Sequence, residues 1–235
     1  MKLEIFTRKQ DETREKYDTT FLNEEIAREV HDYHKSFPMY EETPFLDLKN
    51  LAEKAGVKNI LVKDESYRFG LNAFKVLGGS YAIGKVIAEK LDMDIKDLTF
   101  EKLTSKEVND KLGDVTFITA TDGNHGRGVA WAAKQLKQKS IVYMPRGSAE
   151  ERVKNIEKEG ATVKVLDANY DECVRQANEL AEEKGYIMVQ DTAWDGYEDI
   201  PKWIMQGYMT LAWEMYESLQ EKNIKPTHLF LEAGV

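Results

Sequence analysis

The chain has 235 residues, with 33 Lys and Arg against 42 Asp and Glu, a formal net charge of −9. That balance excludes a general nucleic-acid binder, which needs a cationic excess to neutralise phosphates; no apolar run approaches the roughly 18 residues of a membrane span, and the charged start MKLEIFTRKQDETREKY lacks the apolar stretch of a signal peptide. The single cysteine, Cys173, supports neither an internal disulfide nor a cysteine-based zinc site, so the expectation is an acidic, soluble, cytoplasmic globular protein.

Residues 1–20 are polar and are expected to lie over the surface. Asn23 to Lys35 reads as a helix, with Asn23 as its cap and Ile26, Val30 and Tyr33 at helical spacing. Pro38 and Pro44 hold an extended connection, Leu48 to Ala55 is a short helix ended by Gly56, and Asn59 to Lys63 is a strand. Helical and strand patterns then alternate. Phe74–Leu91 is a helix despite Gly78, Gly79 and Gly84. Val115–Thr119 is a strand, Gly126–Leu136 a helix, Ser140–Met144 a strand, and Ala149–Gly160 a helix with Gly160 just beyond its end. Thr162–Leu166, Ile187–Gln190 and His228–Leu231 read as strands; Tyr170–Lys184 and Trp203–Gln220 read as helices, the latter with Trp203 and Trp213 in the core. The charged segment Asp92–Gly113 reads as a surface insertion with a short helix. Strands joined through helices define an α/β fold, a parallel sheet with helical crossovers. The last strand has no helix after it to cover it, which suggests a chain that stops inside a domain.

Three stretches carry chemistry. The first is KDESYRFGLNAFKVLGG (63–79), in which Lys75 stands at a loop-to-helix junction among Phe74 and small residues. Partial desolvation there makes its amine a usable nucleophile or base. A snorkelling surface lysine is the commoner occupant of such a position. Overlapping it, Gly79 to Lys85 spells GxxxxGK, but Val86 replaces the hydroxyl that a nucleotide loop needs, and the stretch lies within a helix.

The second stretch, TATDGNHGRGVAW (119–131), follows a strand and opens a helix, where glycine-rich turns present N–H groups to an anion. Its glycine order is GxxGxG and no acidic residue follows at ribose distance, so a dinucleotide site is not indicated; close helix–sheet packing is an equal alternative. His125 has no second ligand at metal spacing, so no metal is expected. In the third, QDTAWDGY (190–197), Asp191 lies at a strand end and is the functional candidate, whereas Asp195 and Tyr197 read as a solvated loop with an aromatic anchor.

Together these stretches resemble the fold type II pyridoxal-phosphate enzymes, the tryptophan synthase β-like superfamily, and within them the branch that eliminates ammonia from diaminopropionate. KDESYRFGLNAFKVLGGSYAIG (63–84), TATDGNHGRGVAWAAKQL (119–136), YMPRGSAEERV (143–153), QDTAWDGY (190–197) and IPKWIMQGYMTLAWE (200–214) carry the likeness, which runs from about Thr43 to the last residue. Serine and threonine dehydratases of the superfamily usually have serine where this chain has Asp122, and Ser/Thr-x-Lys where it has Ala73-Phe74-Lys75.

The resemblance implies that Lys75 holds pyridoxal 5'-phosphate as a Schiff base and then acts as a base at Cα. It implies that Asn124 bonds the cofactor's phenolic oxygen. The substrate carboxylate would sit on the backbone around Thr121, Asp122, Gly123, Asn124 and His125, and Asp191 would meet the substrate's β-ammonium. Asp122 would take the Cα proton of the D-isomer, on the face opposite Lys75. The products would be pyruvate and ammonia. The family also implies a homodimer, with residues 78–190 as a smaller, mobile domain and 1–77 with 191–235 as part of a larger one. That larger domain is expected to be incomplete in this chain: members run to about 400 residues, and Gly234-Val235 lead towards the family's glycine-rich phosphate loop. A serine or threonine dehydratase, a non-catalytic α/β binding module and, least of all, a nucleotide-binding protein are the competing readings.

Overall fold

The computed structural model describes residues 18–231; the expectations for the first 17 residues and for Gly234-Val235 lie outside them. Helix α1 (Glu24–Lys35) begins at the cap read from the sequence. The Asn23 side chain accepts from the Ile26 N–H, and Glu24 and Glu25 stand at the positive end of the helix dipole. Strand β1 (Phe45–Asp47), helix α2 (Lys49–Ala55) and strand β2 (Leu61–Lys63) follow, with Gly56 closing α2 at φ 69°. β1 and β2 pair antiparallel, Phe45 opposite Lys63. The stretch after Pro44, read only as an extended connection, is therefore a strand of a small sheet separate from the parallel one. Three residues hold too short a pattern to announce a pairing made across the chain.

A 3₁₀ segment (Glu65–Gly70) leads into helix α3 (Lys75–Leu91). Residues Val76 to Gly84 of α3 are buried without a break, so this helix is enclosed on all sides rather than half-exposed. That enclosure explains its glycines. A Cβ at Gly78 would lie 2.6 Å from the Tyr208 ring, and one at Gly84 2.5 Å from the Tyr33 hydroxyl. The GxxxxGK pattern is packing inside a helix.

Asp92–Gly113 is not merely a surface insertion. It folds as a 3₁₀ turn (Ile95–Asp97) and helices α4 (Phe100–Leu103) and α5 (Lys106–Leu112), and Ile95, Leu98, Leu103 and Val108 join the main core. Four apolar anchors among many charges suffice to dock it, and they are spaced too irregularly to show one face.

The parallel sheet follows: β3 (Thr116–Ala120), α6 (Asn124–Gln135), β4 (Lys139–Met144), α7 (Glu150–Lys158), β5 (Thr162–Val165), α8 (Tyr170–Lys184) and β6 (Ile187–Met188). Its strand order is β5-β4-β3-β6, all parallel. Alternate side chains face opposite ways. Ile118, Ala120 and Tyr143 pack on Cys173, Ala177 and Ala181 of α8, while Val142 and Met144 pack on Ala130 of α6 and Ile156 of α7. Both faces of the sheet are covered, as a parallel sheet requires.

The expected helix Trp203–Gln220 is two helices, α9 (Asp199–Gly207) and α10 (Met209–Glu221), broken at Tyr208. The break lies at a close crossing: a Cβ at Gly207 would lie 2.5 Å from the Leu77 carbonyl and 2.6 Å from Gly78 Cα of α3. Trp213 is buried and Trp203 is partly so. The expected strand His228–Leu231 does not form. No strand among the described residues lies beside it to share a ladder, and Phe230 is 90% exposed. No helix among the described residues is long and apolar enough to cross a membrane.

Candidate active site

Two elements bring the sequence motifs together: α3 begins at Lys75, and α6 begins just after the turn that follows β3. Glycine sets their separation. A Cβ at Gly128 would lie 2.8 Å from Val76 Cα, so the two backbones touch one residue beyond Lys75. A Cβ at Gly126 would lie 2.3 Å from the Thr121 methyl, which holds the turn flat against α6. The glycines of the GxxGxG run thus serve close packing, and the packing places the turn beside the lysine.

At the junction, Lys75 Nζ donates to Asp191 Oδ2 at 2.7 Å, with 37% of the lysine side chain and 17% of the aspartate side chain exposed. Burial alone would raise the Asp191 carboxyl. The Lys75 ammonium, through its hydrogen bond and its charge, works against burial, and the group is held below its ordinary value. His125 lies under the pair. Its Nε2 is 2.8 Å from the Val189 carbonyl, a pure acceptor, so Nε2 carries the proton. Burial pushes the ring pKa down, against the pull of Asp191, and favours the neutral form. Nδ1 is then a buried acceptor without a partner, 3.7 Å from Asp191 Oδ2.

The turn itself is ordered from within. Thr121 Oγ1 accepts from the N–H groups of Gly123 at 3.0 Å and Gly126 at 3.3 Å. Those two donors are engaged, which leaves the N–H groups of Asp122, Asn124 and His125 open at the turn and the start of α6. The Asn124 side chain is exposed. The Asp122 side chain is 78% exposed and leans towards Arg152, whose Nη1 lies 4.0 Å from its Oδ2 and donates to the Asp122 carbonyl at 2.9 Å. The structure therefore joins Lys75, His125 and Asp191 in direct contact and sets Asp122 and Asn124 on the rim.

The side chain that the sequence does not single out is Gln190. It is fully buried and bonds Thr119, Ala120 and Tyr170. A polar residue closing an apolar strand is the signal that could have found it. Tyr197 is an anchor, stacked on Trp194 at 4.1 Å with its hydroxyl accepting from the Gln190 N–H at 2.7 Å. Asp195 is exposed. Among the described residues no group of His, Cys, Asp and Glu is arranged to hold a metal ion.

An accessible amine at a helix start, opposite a glycine-rich turn at the end of a parallel strand, defines a site for a carbonyl-bearing, anionic cofactor. The chain belongs to the pyridoxal-phosphate dependent enzyme family, whose profile matches residues 37–235. It is 54% identical over 227 residues to a diaminopropionate ammonia-lyase of Salmonella typhimurium, covering 94% of this chain and 56% of that protein. The crystal structure of Escherichia coli diaminopropionate ammonia-lyase in apo form superposes with a TM-score of 0.88 at 51% identity, over 92% of this chain and 58% of that one. The E. coli enzyme in complex with D-serine gives a TM-score of 0.88 at 50% identity, over 92% and 55%. The chain spans little more than half the length of these relatives.

The residues present fit pyridoxal phosphate. Lys75 offers a primary amine that is partly open to solvent, Asn124 offers an exposed amide at the mouth of the turn, and His125 Nδ1 and Asp191 offer two acceptors beside the amine. When bound, the cofactor supplies the electron sink for a carbanion at the substrate's Cα.

Proposed function

We propose that the protein eliminates ammonia from 2,3-diaminopropionate, of both hands, giving pyruvate and ammonia, as a carbon–nitrogen lyase. The observation that carries this reading is the Lys75–Asp191 pair at 2.7 Å with the unpartnered His125 Nδ1 beside it. Once the lysine amine is committed to the cofactor, Asp191 loses its cation. The carboxylate and the imidazole nitrogen then form an acceptor pair that suits an ammonium group, the feature that distinguishes diaminopropionate from serine and threonine. Lys75 would be the base that takes a Cα proton from its own face. Asp122, on the rim of the turn, is the base for the opposite face; it reaches inward by giving up its loose contact with Arg152. The free N–H groups of Asn124 and His125 receive the substrate carboxylate.

The likeness to proteins named diaminopropionate ammonia-lyase supports the same reading. Dehydratase chemistry is the alternative, and Asp122 and the acceptor pair speak against it. A cytoplasmic homodimer belongs to the proposal, and the lone buried Cys173 suits a reducing compartment. So does a smaller domain over 78–190, supported by the four-stranded sheet and its crossover helices lying between those numbers. The test is product formation from D- and L-diaminopropionate, L-serine and L-threonine with the cofactor present. Pyruvate and two equivalents of ammonia from both diaminopropionate isomers are expected; a preference for the hydroxy amino acids would favour the dehydratase.

A further inference from the structure

We propose that Gln190 is a positioning residue that aims the Asp191 carboxylate at Lys75. The inference deepens the proposed function and rests on it only for its kinetic consequences.

Gln190 has no exposed surface, and each end of its amide is committed. Its Oε1 accepts from the Ala120 N–H at 3.1 Å and the Thr119 hydroxyl at 2.9 Å, both at the end of β3. A backbone N–H can only donate, which fixes the orientation of the amide and turns Nε2 the other way. There Nε2 donates to the Tyr170 hydroxyl at 2.8 Å and lies 3.4 Å from Asp191 Oδ1. The second oxygen of that carboxylate, Oδ2, holds Lys75 at 2.7 Å. One carboxylate is thus spanned between an amide rooted in the central strand and the lysine. The other polar groups of this corner are His125 from α6, Tyr170 from α8, Thr192, Tyr197 and Tyr208, with the Asp122 carboxylate acting on Tyr170 through its charge. The Tyr197 hydroxyl is taken up by the Gln190 N–H and the Met188 carbonyl. Tyr208 has no partner for its hydroxyl. Apart from its own backbone N–H, Asp191 has no other neutral donor of this kind beside it among the described residues; without the amide, Oδ1 loses its side-chain donor from the β3 side and the carboxylate is less firmly aimed at the lysine.

The alternative is that Gln190 only ties its own segment to β3. Gln190→Glu separates the two, because it keeps the acceptor side and replaces the NH₂ with oxygen. Two carboxyls in contact cannot both ionise, so one retains a proton to a raised pH. While protonated, the new side chain still supplies a hydrogen; once ionised, it repels Asp191. In the holoenzyme the variant is expected to approach wild-type kcat near pH 6 and to lose about ten- to hundredfold by pH 9, with KM within about threefold. The wild type is expected to show no falling limb from this position.

A second readout needs no turnover. In the cofactor-free protein, acetic anhydride labelling of Lys75, mapped by mass spectrometry against the exposed Lys58, is expected to rise severalfold in Gln190→Glu at high pH. Gln190→Asn keeps the amide but withdraws it from Asp191, and should raise labelling at every pH; it also serves if Gln190→Glu does not fold. Lys75 labelling unchanged in the folded variants, with pH profiles parallel to wild type, overturns the proposal. Labelling that responds in a protein that does not turn over diaminopropionate leaves the positioning role standing and removes the proposed function.

Discussion

Lys75 and Asp191 stand 116 positions apart in the chain and meet at 2.7 Å. Under the proposed function the pair would link cofactor capture to substrate recognition, because the carboxylate that holds the free amine would be released when that amine is used. Asp191→Asn is therefore expected to raise KM for diaminopropionate by about ten- to hundredfold, the scale of a charge-assisted hydrogen bond, and to leave KM for L-serine nearly unchanged. Since the folded carboxyl is held below its ordinary value, the pair is fully formed above the ordinary aspartate range near pH ~3.9. It is lost only as pH falls through the lower folded value, so KM should show no break from Asp191 between pH 5 and 8. Equal losses on both substrates would contradict the recognition role.

Asp122→Asn tests the second base. D- and L-isomers present the Cα proton on opposite faces, and a base must lie within hydrogen-bond reach of the proton it takes. Activity on the D-isomer should fall by about 10²–10⁴, the usual worth of a positioned base, while the L-isomer keeps a substantial part of its kcat. If Asp122 only orders the turn against Arg152, both isomers lose similar small factors. Steady-state kinetics on the two isomers decides.

Gly128→Ala tests whether the contact of α6 with α3 sets the site. In an ordinary exposed helix position alanine would stabilise by up to about 1 kcal/mol. Here the new Cβ would lie 2.8 Å from Val76 Cα, a backbone atom that cannot swing aside. A net loss of about 1–3 kcal/mol in urea unfolding is expected, together with weaker cofactor binding, because Lys75 moves with Val76. A neutral or stabilising effect would show that the helices are free to part.

Glu214→Gln addresses the buried network beneath the loop that leads to Lys75. Glu214 and Arg68 are fully buried and meet through two bonds of 2.7 Å, with Lys63 Nζ 2.6 Å from Glu214 Oε2. Burial works to raise the Glu214 carboxyl, but the bonds and charges of Arg68 and Lys63 prevail and hold it at about 2. Its contribution is complete above the ordinary value of 4.5 and is lost as pH falls towards about 2. Removing one partner of such a pair costs about 3–5 kcal/mol. The gap between wild type and variant in urea unfolding should be large at pH 7 and smaller at pH 3; a gap independent of pH would contradict the assignment.

The parallel sheet was legible because β3 and β4 are short runs rich in apolar residues separated by a helical pattern, and Asn23, Gly56 and Gly160 mark ends by local chemistry. What escaped was set by tertiary contact. The helix breaks at Tyr208, beside the point where Gly207 meets Gly78, and no local pattern announces a meeting of two distant glycines. Ile95 and Leu103 dock a segment whose charges read as surface. His228–Leu231 has strand composition but no neighbour to pair with. In the site, Lys75 and the turn at 121–125 were recognisable as motifs, whereas the contact of Lys75 with Asp191, the tautomer of His125 and the role of Gln190 depend on distances that only the fold creates.

The proposed function stands on Lys75 as the residue that binds the cofactor covalently. Borohydride reduction of the cofactor-loaded protein, followed by peptide mapping, tests it most directly. A pyridoxyl mark is expected on Lys75 and none in Lys75→Ala; a mark on Lys63 or Lys85 instead would rule Lys75 out.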